Sequence, residues 1–162
     1  MAQNYYSELY YHYVWRTKGN LALIVPEIKG QLLSEIISKS RELGAYPLEV
    51  GGTVDHMHLL VGAPPTLLPS DFIGKVKGST SHYVNHQLNS PCRLHWNESY
   101  GVLSLAKRDV PAVRRYIQDQ VSHHTRGTTN KKMECCDSAF QDNAVTPVNG
   151  GKGPGMGSAT PG

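Results

Sequence analysis

Residues 54–61 read VDHMHLLV, and this run sets the interpretation of everything on either side of it. Apolar and β-branched residues dominate it, Gly51-Gly52 precedes it, and Gly62-Ala63-Pro64-Pro65 stops it, so residues 56–61 are expected to form a strand. Side chains along a strand alternate between two faces. His56 and His58 therefore share one face, while Met57 and Leu59 point to the other. Two imidazoles on one face form a metal-chelating geometry, and ordinary half-buried strand histidines give the same spacing.

Residues 46–50 precede this strand across a glycine-bearing connection and are expected to pair with it as a hairpin. Nearer the start, YYHYVWR at 10–16 is aromatic and β-branched and ends at Lys18-Gly19-Asn20, which reads as another strand and a turn. Between Pro26 and Leu43, Ile28, Leu32, Leu33, Ile36 and Ile37 recur at helical spacing, and Gly44 follows as a stop. A second helix is expected over 71–88, capped by Ser70 and carrying Phe72, Ile73, Val76, Tyr83, Val84 and Leu88 on its apolar stripe. Residues 100–105 supply a fourth strand. Asp109 is then expected to cap a last helix running to about His123, with Pro111 in its first turn. The order predicts an α+β fold of the ferredoxin-like, split βαβ kind, with helices on one face of an antiparallel sheet and the other face open for a ligand.

In the last helix Tyr116 and Gln120 are four residues apart and so share a helical face. A Gln amide oxygen can be a hard third ligand beside two imidazoles. Such a set leaves coordination positions for phosphate oxygens and water, as a catalytic site requires. A helix that simply buries its aromatic residue would look the same locally.

The 162 residues suit one compact domain, and a formal charge of +3 is mildly basic. Basic residues fall in pairs at element edges: Arg16 and Lys18, Lys75 and Lys77, Lys107 and Arg108, Arg114 and Arg115. That placement suits a phosphate backbone, as it suits solvated surface. Cys92, Cys135 and Cys136 form neither a disulfide framework nor a zinc spacing, and no apolar run approaches the ~20 residues of a membrane span. A cytoplasmic protein without membrane contact is expected. From Asn143 onward the chain is Gly, Pro and small polar residues. The domain is therefore placed at 1–130, its end falling between Thr125 and Glu134, with 131–162 as a disordered tail.

Taken together, YHYVWRTKGN, VDHMHLLV, PPTLLPSDFIGKVKGSTS, WNESYGVLSL and VRRYIQDQVSHH resemble, in order and spacing, the single-tyrosine HUH transposases of the smallest bacterial insertion sequences. This superfamily includes the REP-associated tyrosine transposases. The resemblance spans residues 10–124. It implies that Tyr116 is the nucleophile, that His56, His58 and Gln120 hold Mg²⁺ or Mn²⁺, and that the chemistry is cleavage and rejoining of single-stranded DNA through a 5′-phosphotyrosine. Asp55 is expected to cap its turn rather than to orient His56. The resemblance further implies a hairpin DNA partner and a homodimer in which the tyrosine helix can complete the partner's site. Trp15, Arg16, Lys18, Lys75, Lys77, Lys107 and Arg108 are the candidate DNA contacts. Rival expectations are a non-catalytic hairpin-binding regulator, an HUH replication or conjugation nickase, and a metal-binding fold without nucleic acid.

Overall fold

The structure, a computed structural model, describes residues 4–136; the Gly/Pro-rich stretch from Asn143 lies outside the described residues. Four strands form one antiparallel sheet in the order β2-β3-β1-β4. They are β1 (Leu9–Arg16), β2 (Tyr46–Gly52), β3 (His56–Ala63) and β4 (Gly101–Leu105). Helix α1 (Pro26–Glu42) links β1 to β2, and α2 (Pro69–Gln87) links β3 to β4. This is the split βαβ arrangement that the element order predicts. Helices α3 (Val110–Gln118) and α4 (Gln120–Arg126) follow β4.

Ile28, Leu32 and Ile36 of α1 and Phe72, Ile73, Val76 and Val84 of α2 are buried. They pack on Tyr13, Trp15, Met57, Leu59 and Val61, which alternate onto one face of the sheet. Each such side chain contributes on the order of 1.5–3 kcal/mol when fully buried. Gly44, at φ +85°, takes the left-handed turn that ends α1. Pro47 lies on β2, an edge strand, and the pairing register with β3 shifts between Pro47 and Glu49, because proline has no N–H to give the ladder. Among the described residues no helix is long and apolar enough to cross a membrane.

Three local expectations are corrected. Helix α2 begins at Pro69 with Leu68 as N-cap, and Ser70 caps nothing; a proline in the first turn lacks only an N–H that would go unpaired. Asp109 makes no capping hydrogen bond at α3, and the last helix is broken at Asp119 (φ −95°, ψ 17°) into α3 and α4. The second face of the sheet is not open. Val113 and Ile117 of α3 bury Leu60 of β3, and the chain after α4 turns back at Gly127 (φ +67°) to lay Met133 against the same cluster. The described residues of this segment continue past residue 130 to residue 136.

Candidate active site

The second face carries a cluster of buried polar side chains. Because β1 runs antiparallel to β3, Val14 pairs with His58 and Arg16 with His56, and His12, one step along, projects from the same side. His12, His56 and His58 are all buried, at 1%, 0% and 0% exposure. Buried imidazoles need partners on both nitrogens. His56 Nδ1 lies 2.7 Å from Asp55 Oδ1 and 2.8 Å from Thr53 Oγ1. Its N–H donates there, leaving Nε2 with a lone pair aimed at the site. Asp55, held below its ordinary range because the His56 and Thr53 hydrogen bonds outweigh burial, orients the imidazole as well as closing the turn, which corrects the expectation of a cap alone.

His58 Nδ1 lies 2.8 Å from His12 Nε2. Burial, with the neighbouring His58, pushes His12 down to about 3, so it stays neutral and can accept the His58 proton. His58 is itself lowered by burial, and its Nε2, turned into the site, makes no hydrogen bond among the described residues. Sequence reading did not single out His12 as functional. Its signal was parity, since it shares a sheet face with the partners of the two motif histidines.

Tyr116 and Gln120 reach this face from the α3–α4 break. The Gln120 amide nitrogen donates to the Tyr116 carbonyl at 3.2 Å, which fixes the amide with Oε1 3.1 Å from His56 Nε2. Two acceptors facing each other at that distance call for a cation or a proton between them. The Tyr116 ring meets His58 edge-on at 5.9 Å between centroids and stacks on His123 at 4.7 Å. The structure thus brings together all four residues that the sequence nominated, within one chain.

It also brings in residues the sequence did not nominate. Glu134 enters from the segment after α4, its side chain only 10% exposed. Glu134 Oε1 lies 3.4 Å from His58 Nε2 and 3.6 Å from His124 Nε2, and Oε2 lies 3.5 Å from His56 Nε2 and 3.6 Å from an Arg16 guanidinium nitrogen. The His124 ring packs on His56 at 4.5 Å. His124 is four residues beyond Gln120, a spacing that could have found it. Glu134, a lone acid in a loop, had no such signal. Donor atoms held about 2.1 Å from one cation sit roughly 3.0–3.4 Å from each other. The separations here are close to those edges, and one donor atom each from His56, His124 and Glu134 falls within 4.8 Å of the others. With the orphaned His58 nitrogen and the facing Gln120 oxygen, this donor set fits a divalent cation.

The Tyr116 hydroxyl donates to Glu134 Oε1 at 2.6 Å and accepts from the Asn130 N–H at 2.9 Å. Burial and that carboxylate push Tyr116 up to about 12. Burial works against the charge on Glu134, but His58, Tyr116 and His56 outweigh it and hold the carboxyl at about 2. The proton therefore stays on the phenol.

The candidate DNA contacts divide. Trp15 is 0% exposed in the core and offers no face to a base. Lys77 donates to the carbonyls of Asn97, Glu98 and Ser99 at 2.6, 3.0 and 3.3 Å, and so clamps a loop instead of a phosphate. Arg16 reaches the site itself. Lys18 and Arg108 are exposed, Arg108 with Asp109 Oδ1 at 4.0 Å, while Lys75 and Lys107 are exposed and paired with Asp71 and Glu8, each at 2.8 Å.

The family model described as transposase, IS200 like, matches residues 5–120. The ISDra2 transposase TnpA of Deinococcus radiodurans is 26% identical over 123 residues, 73% of this chain and 88% of that protein. A crystal structure of a Deinococcus radiodurans chain assigned as a transposase superimposes with a TM-score of 0.57 at 26% identity, covering 74% of this chain and 96% of that one. A REP-associated tyrosine transposase bound to a REP hairpin superimposes at 0.56 with 14% identity, over 80% and 75% of the two chains, and shares the fold.

Proposed function

The chain belongs to the IS200-like transposases, and from that premise we propose that it cleaves and rejoins single-stranded hairpin DNA through a covalent 5′-phosphotyrosine on Tyr116, with Mg²⁺ or Mn²⁺ held by His56, His58 and Gln120. One observation carries the reading: a phenol from α3, a histidine pair from β3 and an amide oxygen from α4 converge on one buried point. A metal-binding fold without nucleic acid gives no reason for the tyrosine to be there. The hairpin substrate follows the REP hairpin held by the structural neighbour.

A phosphodiester repels nucleophiles by its charge, and a bound cation would neutralise a nonbridging oxygen and orient the scissile bond. The chain's own residues do the rest. Asp55 and Thr53 hold His56, and His12 holds His58, each with its Nε2 lone pair facing inward. Arg16 is placed to meet a second phosphate oxygen. The Tyr116 oxygen attacks phosphorus as the bond from phosphorus to the 3′ oxygen breaks; the phenol proton passes to water and the departing 3′ oxygen takes a proton up, so the leaving strand ends in a 3′-OH. The new phosphotyrosine keeps the energy of the broken link, so a 3′-OH from another strand reverses the step and joins DNA without a nucleotide cofactor. Next to His124 a cavity of about 530 Å³, walled by Ile24, Pro26, Val54 and Val121, can take an unpaired base beside the scissile phosphate. The same reading makes the protein a homodimer. Tyr116 already lies beside the histidines of its own chain, so exchange of its helix between subunits is not needed for that contact.

The test is a denaturing gel after incubation with labelled hairpin DNA and Mn²⁺. Wild type is expected to yield a covalent protein–DNA adduct that Tyr116→Phe does not. Binding without an adduct under Mg²⁺ or Mn²⁺ would replace the enzyme with a hairpin-binding regulator.

A further inference from the structure

Resting on the reading of this site as a phosphoryl-transfer centre, we infer that the 128–136 strap is an internal competitor of DNA, with the Glu134 carboxylate occupying the place of the scissile phosphate. A phosphorus under attack must come within about 3–3.5 Å of the nucleophilic oxygen. Glu134 Oε1 already sits 2.6 Å from Tyr116 Oη, on the side that faces the imidazoles. Both cannot be there. A carboxylate also resembles a phosphate in what it recruits: two acceptor oxygens, here set against Arg16, His56, His58 and His124.

The strap is docked, not merely nearby. Its Asn130 N–H caps the second lone pair of the nucleophile at 2.9 Å. Its Glu134 N–H closes a turn on the Asn130 carbonyl at 3.1 Å, and Met133 packs on the Leu60, Val113 and Ile117 cluster. The Cys135 carbonyl lies so close to Gly101 that any side chain on β4 there would collide with it, and the Cys136 thiol reaches the Val14 carbonyl at 3.6 Å. These contacts lie on the sheet face that carries His12, His56 and His58. One buried oxygen, Glu134 Oε2, makes no hydrogen bond among the described residues, as expected of a group standing in for a ligand with more to satisfy. DNA binding and strap docking therefore exclude each other, and the strap lowers apparent DNA affinity by the fraction of chains it keeps closed.

Two full-length variants test this. Glu134→Gln keeps the shape and removes the charge; Met133→Ser keeps Glu134 and removes the apolar anchor. Three quantities are read: affinity for a labelled single-stranded hairpin in chelator, rate of adduct formation with Mn²⁺, and amide hydrogen exchange over 128–136 in wild type with and without the hairpin. Both variants should bind the hairpin about tenfold more tightly and form adduct faster. In wild type the hairpin should speed exchange at Asn130 and Glu134. The inference is overturned if the strap amides stay protected with DNA bound, or if both variants weaken DNA binding, Mn²⁺ binding and adduct formation together. That last pattern would make Glu134 a permanent metal ligand. If no adduct forms in any variant but the hairpin still opens the strap, the inference stands and the transposition chemistry fails.

Discussion

His12 illustrates how much of this site is held from behind. Its hydrogen bond meets the His58 ring on the Nδ1 side, away from the nitrogen turned into the site, and so lets His58 present a lone pair there. Replacing it with phenylalanine leaves the His58 Nδ1–H buried without an acceptor. Loss of such an orienting partner typically costs about 10–100-fold in metal affinity. Calorimetric titration of Mn²⁺ into His12→Phe should show a loss in that range, with the circular dichroism of the folded chain retained. A variant that bound Mn²⁺ as tightly as wild type would remove His12 from the metal's support. Asp55 and Thr53 play the corresponding part for His56; Asp55 stands next to His56 in the sequence, where a turn cap was the expected role, and Thr53 carried no signal. The motif histidines were legible because a strand's alternation acts on neighbours in sequence. Their supports were not, because a hydrogen bond between residues 12 and 58 exists only once β1 and β3 have paired.

Among the elements, α3 has the most exacting position, and Gly51 sets it. A Cβ at Gly51 would lie 2.9 Å from the Ile117 carbonyl oxygen and 3.1 Å from its side chain. Backbone cannot yield there as a flexible side chain would, so α3 must lift from β2 and carry Tyr116 with it. Gly51→Ala is expected to cost about 1–3 kcal/mol in thermal denaturation, as overpacking does. It should also slow adduct formation by more than Mn²⁺ binding weakens, because the nucleophile moves relative to the histidines. Equal losses in both would mean that α3 does no positioning. The break at Asp119 belongs to the same scale. Helical periodicity across residues 110–123 is good enough to suggest one helix, and the interruption that turns Gln120 toward His56 comes from what the two halves pack against.

For the molecule as a whole, the sheet separates two tasks. One face builds the apolar core with α1 and α2, and the other holds the polar cluster. The apolar core and the candidate site thus lie on opposite sides of the same strands. Chelation should abolish adduct formation while leaving the far-ultraviolet circular dichroism spectrum unchanged and the melting temperature lowered by only a few degrees. Unfolding on chelation would show instead that the cation is structural.

Sequence alone determined the element order and the face of β3 that carries His56 and His58, and its string of motifs carried the resemblance to the family. The first two follow from local periods of two and 3.6 residues, which the chain cannot escape wherever it folds; the turn that brings Gln120 toward His56 comes at the Asp119 break, which those periods did not show. Only the tertiary structure decided that Trp15 is core, that Lys77 clamps a loop, that His12 stands behind His58 and that Glu134 fills the site. Each depends on which surfaces meet across tens of residues of chain, and a residue's chemistry there is set by burial and by partners that no local pattern names.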